Sequence, residues 1–392
     1  MKLRTNLFLF LIVCTASLVF LPTASAQIPC GPTVVPKATL VVNWPQLQYD
    51  SGHSGCNPYE TILSTSTVGA LGQKWRHDTS IVSSPVLADG LIYISTFYDA
   101  IHYGAVYALD ASDGGQIWLF ESPVDYTFSF SSLAIANGVA FVGCSDHDLY
   151  ALNAKTGKLI WSYATGSTVS TPVVVGGVVY ATSDQVYALN ASTGALIWKA
   201  PGASRWAPAV SANTVYVSAD QVYAFNASTG ALIWKTPISA SAPAVVGNVV
   251  YLGADQVYAL NASTGNIIWS YPVASDTTPA IALGTVYVGA ADANVYALNA
   301  STGAFLWNYA IQDYQVSAPV VANGVVYATS SPQIPNYSHL DALNAKTGAL
   351  LSVMLLDGEG GTSAAVANGV VYVGQAGFYN SSLYAFSLAQ SN

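Results

Sequence analysis

Charge is the scarcest ingredient of this sequence. Only 8% of its 392 residues are charged, 11 Lys+Arg against 20 Asp+Glu, where soluble domains carry about 25%. A net charge of −9 and a pI of 4.7 exclude the basic surface of a nucleic-acid binder. Disorder is excluded as well, because 52% of the chain is apolar. Long apolar runs are also missing. Past Leu21, Gly, Pro, Asn, Ser or Asp interrupts every run before the roughly 18 residues of a spanning helix, so the chain is not expected to span a membrane. There are 4 Cys, none adjacent and none in a Cys-x-x-Cys-His haem site, and 5 His without metal-ligand spacing. No metal site and no catalytic residue are predicted.

The first 26 residues read as an address. Lys2 and Arg4 precede an apolar run from Leu7 to Leu21, and Ala24-Ser25-Ala26 follows. These are the three regions of a secretory signal peptide, so cleavage after Ala26 and a secreted or periplasmic location are expected. Pro29 before Cys30 argues against a lipoprotein cleavage site. In an oxidising compartment Cys30 and Cys56 flank one short segment and can pair. Cys144, just past a strand-like run at 139–142, reads as a buried free thiol.

A repeat organises the rest. Val186-Tyr187-Ala188-Leu189-Asn190-Ala191-Ser192-Thr193-Gly194-Ala195-Leu196-Ile197-Trp198 has relatives from Leu109 to Phe386 at a period of about 40 residues. Its terminal Trp recurs at Trp75, Trp118, Trp161, Trp198, Trp234, Trp269 and Trp307, with Ser352 in the eighth place. Each unit holds four short β-branched or aromatic runs bounded by turn residues. Such units are β-propeller blades, and residues 71–392 hold eight. The chain opens on a lone fourth strand at Trp75 and ends on a third strand at Leu383-Tyr384-Ala385-Phe386. The prediction is therefore all-β: an eight-bladed propeller of four-stranded blades, preceded by a leader at 27–70. An N-terminal strand should complete the last blade, close the ring and hide two sheet edges. Burial of strand faces between blades accounts for the apolar content.

The stretch from Ala188 to Trp198 resembles the tryptophan-docking motif, Ala-x-Asp-x-x-Thr-Gly-x-x-x-Trp, of the pyrroloquinoline-quinone (PQQ)-like propeller repeat family, with Asn mostly replacing Asp. The leader from Trp44-Pro45 through Asn57-Pro58 to Leu71 is similar to the segment before the first blade in that family. The resemblance covers about 350 residues and implies that the seven Trp are packing devices. It also implies a division between quinoprotein dehydrogenases and non-catalytic relatives such as the assembly scaffold BamB, which this chain resembles in size and blade number. The vicinal cysteines that many of those dehydrogenases place beside the quinone have no counterpart here. A fold of this kind hosts many functions, so function rests on sites.

Successive strands alternate in direction, so the second-to-third turns and the blade connections share one face. That face varies. From the second-strand aromatic to the third-strand Tyr position the spacing is 7 in blades three to five, 9 in blades two and six, and 14, 14 and 12 in blades one, seven and eight. The long loops carry Phe97, Tyr98, His102, Tyr103, Tyr337, His339, Phe378 and Tyr379. The connection between blades one and two adds Tyr126 and Phe128. Loops that depart from a repetitive scaffold are where binding is carried; the alternative is that they plug the ring. Blade four offers a second candidate. Arg205 and Trp206 replace the small residues that open other first strands, and Asp276 holds the position of Arg205 two blades on. Together they could hold a flat or anionic ligand at the channel mouth, or form a plug with an ion pair.

The expectation is thus an exported, non-catalytic scaffold, a monomer, binding a protein, small molecule or glycan through the variable face. The alternatives are an oxidoreductase using PQQ with Ca²⁺, and a glycan or cell-wall binder. Loss of Lys2 and Arg4 with the signal takes the net charge from −9 to −11. Fourteen of the 20 acids, Asp184, Asp220, Asp255 and Asp292 among them, fall on the variable face by this topology. A cationic or basic partner is expected there.

Overall fold

The computed structural model describes residues 43–79, 83–96, 104–122, 128–311, 315–331, 338–358, 360–375 and 381–389. Eight sheets form, each with four antiparallel blade strands in order; that of blade seven gains Gln315–Val316 and, in parallel on its inner strand, Cys56–Asn57. The first strands contact one another in an unbroken cycle, from blade one round to blade eight and back. In blade eight the outer place is taken by a strand from the N-terminal side of blade one: Leu71–Thr79 pairs antiparallel with Ser381–Leu388. The ring closes as the strand phase requires. Arg76 fastens the closure, donating to Asp78 and, at 2.7 Å, to Asp357, with its guanidinium 5.3 Å from the Tyr384 ring centroid.

The repeat's Asn-x-x-Thr-Gly turn shows how this chain does without charge. Asn190 Oδ1 accepts the N–H groups of Ser192 and Thr193 at 3.0 Å, and Gly194 turns back at φ 71°. Blade one makes the same Asx turn with Asp110, which accepts the Ser112 N–H at 2.7 Å. That bond and the Ser112 hydroxyl hold the Asp110 carboxyl below its usual pKa. A neutral amide oxygen does equal geometric work without an ionised group.

Each docking Trp ties its blade to the next. The indole Nε1 of Trp198 donates to Ala227 O at 2.8 Å, and Trp118, Trp234 and Trp307 do the same to Ala154, Ala262 and Ala345. The Tyr of the same blade donates to the same carbonyl, as Tyr216 does to Ala262 O at 3.2 Å. The turn glycine lies flat against the indole: a Cβ on Gly230 would meet Trp198 Cε3 at 2.7 Å.

This explains the odd Ser352. A Trp in blade seven would need the Asn-x-x-Thr-Gly turn of blade eight, but there the outer strand, Leu71–Thr79, does not follow the third, Ser381–Leu388, in sequence, so no such turn joins them. Residues 58–70 fill the gap instead. Leu63 and Val68 are wholly buried with Tyr327 and Met354, and Glu60 accepts the N–H groups of Ile62, Leu63 and Gly369. With no alanine carbonyl to receive it, the buried Tyr327 hydroxyl has no hydrogen-bond partner among the described residues. Removing an orphaned buried hydroxyl relieves its desolvation penalty. Tyr327→Phe should therefore leave stability unchanged or raise it by about 1 kcal/mol, while Tyr216→Phe lowers it by about 1 kcal/mol in urea unfolding.

One expectation is corrected. Not all of the apolar content lies between blades. Fourth strands turn adjacent pairs outward, such as Leu232 and Ile233 at 52% and 49% exposure. A bulge beside each docking Trp breaks the alternation that would bury one of them: in this blade Ala224 pairs with Trp234 and Phe225 with Leu232, leaving Ile233 as the extra residue.

Candidate functional site

Eight innermost strands are eight sheet edges facing a channel, and bare edges need partners for their N–H and C=O groups. Residues 44–57 supply them, one blade at a time and in order. Trp44 pairs with Leu87 of blade one by two hydrogen bonds of 2.8 Å, and Pro45 O accepts from Ile135 of blade two. Gln46 Oε1 accepts from Val174 of blade three. The carbonyls of Ser51, Gly52, Ser54 and Gly55 accept from Val210, Val245, Ile281 and Val321 of blades four to seven. Asn57 Nδ2 donates to Val366 O of blade eight at 2.7 Å. The eight partners occupy the same position in their blades, so the leader forms a belt across the channel at one level. Asp50 bends the belt, accepting from the Gly52 and Ser54 N–H groups and the Ser54 hydroxyl. Gly55 is obligatory, since its φ is 67° and a Cβ would lie 2.7 Å from Ala280 Cβ. Cys56, on the belt, is disulfide-bonded, and Cys144 is a buried free thiol. Cys30 lies outside the described residues.

On the variable-face side of this belt the mouth holds a cavity of about 390 Å³. Trp206 of blade four, Asp276, Thr277 and Thr278 of blade six, and Gln315 and Ser317 of blade seven line it, with Ser331, Gly361 and four small apolar residues of blades six and seven completing the wall. Trp206 and Asp276 are thus brought together. Arg205 lies outside the lining, its guanidinium 5.1 Å from the Trp206 ring centroid. No ion pair joins it to Asp276 among the described residues.

Trp206 also breaks a rule of the fold. In seven blades its position is Ser or Thr, whose hydroxyl accepts a second-strand N–H: Ser83 from Ser95, Ser131 from Gly143, Ser170 from Thr182, Ser241 from Gly253, Thr277 from Gly289, Ser317 from Thr329 and Thr362 from Gly374, at 3.0 to 3.3 Å. The indole cannot accept this bond. A position that abandons the repeat's hydrogen bond for an aromatic at a cavity is where function is expected to override local stability.

The aromatic loops fare differently. Phe97, Tyr98, His102, Tyr103, Tyr126, Tyr337, Phe378 and Tyr379 lie outside the described residues. Phe128 is half-buried and packs on the core between blades one and two. His339 Nδ1 sits 2.7 Å from Asp341 Oδ1, whose side chain is 1% exposed. Tyr309 of blade six faces the same carboxylate, and burial beside the Asp341 charge pushes the phenol up to about 12. At other junctions this place holds an aromatic pair, such as Tyr163 with Tyr187. The signal for Asp341 was readable as an acid in the repeat's Tyr position. The acids of the variable turns are each clasped by a tyrosine: the hydroxyls of Tyr187, Tyr223, Tyr258 and Tyr296 donate to Asp184, Asp220, Asp255 and Asp292. No group of three or more metal-ligating side chains occurs among the described residues.

Comparison with known proteins fits this architecture. A family model described as outer membrane protein assembly factor BamB matches residues 69–185 and 182–390. The quinohemoprotein alcohol dehydrogenase of Comamonas testosteroni is 26% identical over 154 residues, 36% of this chain and 21% of that protein. Its crystal structure superposes with a TM-score of 0.73 at 15% identity, covering 89% of this chain and 81% of that one. BamB of Salmonella typhimurium is 31% identical over 125 residues, 30% of this chain and 29% of that protein. BamB of Moraxella catarrhalis superposes with a TM-score of 0.65 at 21% identity, covering 82% of this chain and 99% of that one. The chain aligns in sequence with about a fifth to a third of the length of these curated relatives.

Proposed function

This chain belongs to the PQQ-like propeller family described as outer membrane protein assembly factor BamB, and from that premise we propose that it is an exported, non-catalytic scaffold binding a basic partner through its acidic variable face. The observation that carries this reading is the belt. It occupies the channel at one level and leaves a mouth open on one side, the side to which we assign the variable loops and the clasped acids. The Tyr hydroxyls fix Asp184, Asp220, Asp255 and Asp292 in repeated, partly exposed positions, so a cation approaching the disc meets a preset array of charge.

A quinone-dependent oxidoreductase is the second reading, favoured by the names of the dehydrogenase relatives. The described residues of the mouth do not fit a Ca²⁺-held quinone. Ca²⁺ takes about six to eight oxygen ligands rich in carboxylate, and Asp276 is the one carboxylate in the described lining. A tricarboxylate such as PQQ would meet that acid with no Lys or Arg lining the cavity.

One experiment addresses both. Replacing Asp220, Asp255 and Asp292 together with Asn keeps an acceptor for each Tyr hydroxyl and removes three charges. The triple variant should bind polylysine about tenfold more weakly at low ionic strength, with its melting temperature unchanged. Unaltered polylysine binding would defeat the acidic-face reading. Saturable uptake of PQQ with Ca²⁺, followed by dye reduction with an alcohol, would replace it with the second.

A further inference from the structure

We infer that the channel-mouth cavity is a binding site for a neutral saccharide ring, stacked on Trp206 and held by the polar side chains of blades six and seven. This goes beyond the scaffold reading and does not depend on it, because the clasped acids do not line the cavity. Four lining side chains, Asp276, Thr278, Gln315 and Ser331, make no hydrogen bond to other residues among the described part of the chain. Thr277 and Ser317 are committed to the fold through their second-strand N–H bonds. The mouth thus offers an aromatic face, a carboxylate, an amide and two hydroxyls, all uncommitted.

The chemistry of that set selects among ligand classes. An anionic ligand is disfavoured by Asp276 and by the lack of a lining cation. An apolar ligand would strip water from four polar groups without replacing their hydrogen bonds, which is unfavourable. A metal ion would find a single lining carboxylate. A sugar ring meets each demand: its C–H face covers an indole, and its hydroxyls both donate and accept. A carboxylate and an amide can take two adjacent hydroxyls apiece, and Thr and Ser hydroxyls bond in either direction. Pockets of roughly 300–1,000 Å³ are the usual range for small ligands, and about 390 Å³ admits one or two rings.

Trp206 supplies the second line of argument. Blade four forgoes the hydroxyl-to-N–H bond that the other seven keep, and it does so with the bulkiest side chain, reaching a cavity whose other walls belong to blades six to eight. A packing role would not account for this, since the small residue used elsewhere at this position suits the ring. The Arg205 guanidinium over the indole braces the platform.

The test is Trp206→Ser, which restores the residue type of the repeat. It should keep or raise the melting temperature, because a hydroxyl again faces the Ser218 N–H, and it should weaken saccharide binding. The native protein is first read on an array of neutral mono- to hexasaccharides, and the hit is then titrated by tryptophan fluorescence or calorimetry. Trp206→Ser and Asp276→Asn should each weaken that binding about tenfold or more. The Asp220, Asp255 and Asp292 triple Asn variant should bind the sugar as the native protein does. A silent array, or a hit unaffected by Trp206→Ser, overturns the proposal. So does a clear fall in melting temperature for Trp206→Ser, which would make the indole a structural plug.

Discussion

A chain lacking residues 43–57 should fail to hold a closed monomeric ring under conditions where the full chain is stable. The belt makes its contacts to eight separate sheet edges, each worth about 1 kcal/mol net. It also buries Trp44 to 1% exposure against the core shared by blades one, seven and eight, a side chain whose loss costs about 3–5 kcal/mol. Together these rival the whole stability of a typical domain, about 5–15 kcal/mol. Water can replace part of the edge bonding, so urea unfolding of the two chains is the deciding measurement. A shift in melting temperature under about 5 °C would show the belt to be a passenger.

Acid provides a milder version of the same experiment. His53 lies fully buried in the belt, donating from Nδ1 to Pro243 O at 3.1 Å, with Nε2 unpartnered among the described residues. Burial lowers its pKa to about 4 from 6.5. The folded state then binds the proton more weakly than the unfolded chain. This contribution is fully present above 6.5, is lost as pH falls towards 4, and does not change further below that. His53→Gln should flatten that part of the pH–stability curve.

How much of this was legible beforehand depends on whether the repeat carried it. Blade number, strand phase and the closing strand all followed from the recurrence of Tyr-Ala-Leu-Asn and Trp, because every blade restates the same local rule. Trp206 and Asp276 were readable for the opposite reason, as departures from that rule. The belt was not readable. Its contacts are mostly backbone carbonyls, so residues as different as Pro45, Ser51 and Gly55 serve equally, and no side-chain pattern records them. The absence of an eighth Trp had a visible signal in Ser352, but its cause needed the ring. Only when the ends meet does it become clear that the turn which would receive that indole does not exist. The Tyr309–Asp341–His339 contact was half legible, since the spacing of His339 and Asp341 puts both on one strand face while Tyr309 comes from the neighbouring blade.

The strongest single-residue effect should come from the docking junctions, and a pair of substitutions at one of them should be markedly non-additive. Trp198→Ala removes an indole that is 7% exposed and its bond to Ala227 O, at about 3–5 kcal/mol. Gly230→Ala should cost a similar amount, because φ is +72° and the new methyl would lie 2.7 Å from Trp198 Cε3. In the double variant the methyl enters space the indole has vacated, so only the backbone strain of about 1–2 kcal/mol should be added to the loss of the Trp. A double-mutant cycle by urea unfolding would then return a coupling of about 2 kcal/mol. Full additivity would mean that Gly230 is required by the turn alone and that the indole does not dock against it. The same reasoning fixes the sign for the exceptional blade. Ser352→Trp should lower stability, because residues 58–70 already occupy the site where an eighth indole would have to lie. A stabilising Ser352→Trp would show that the gap between the chain's two ends can still accept the repeat's own device.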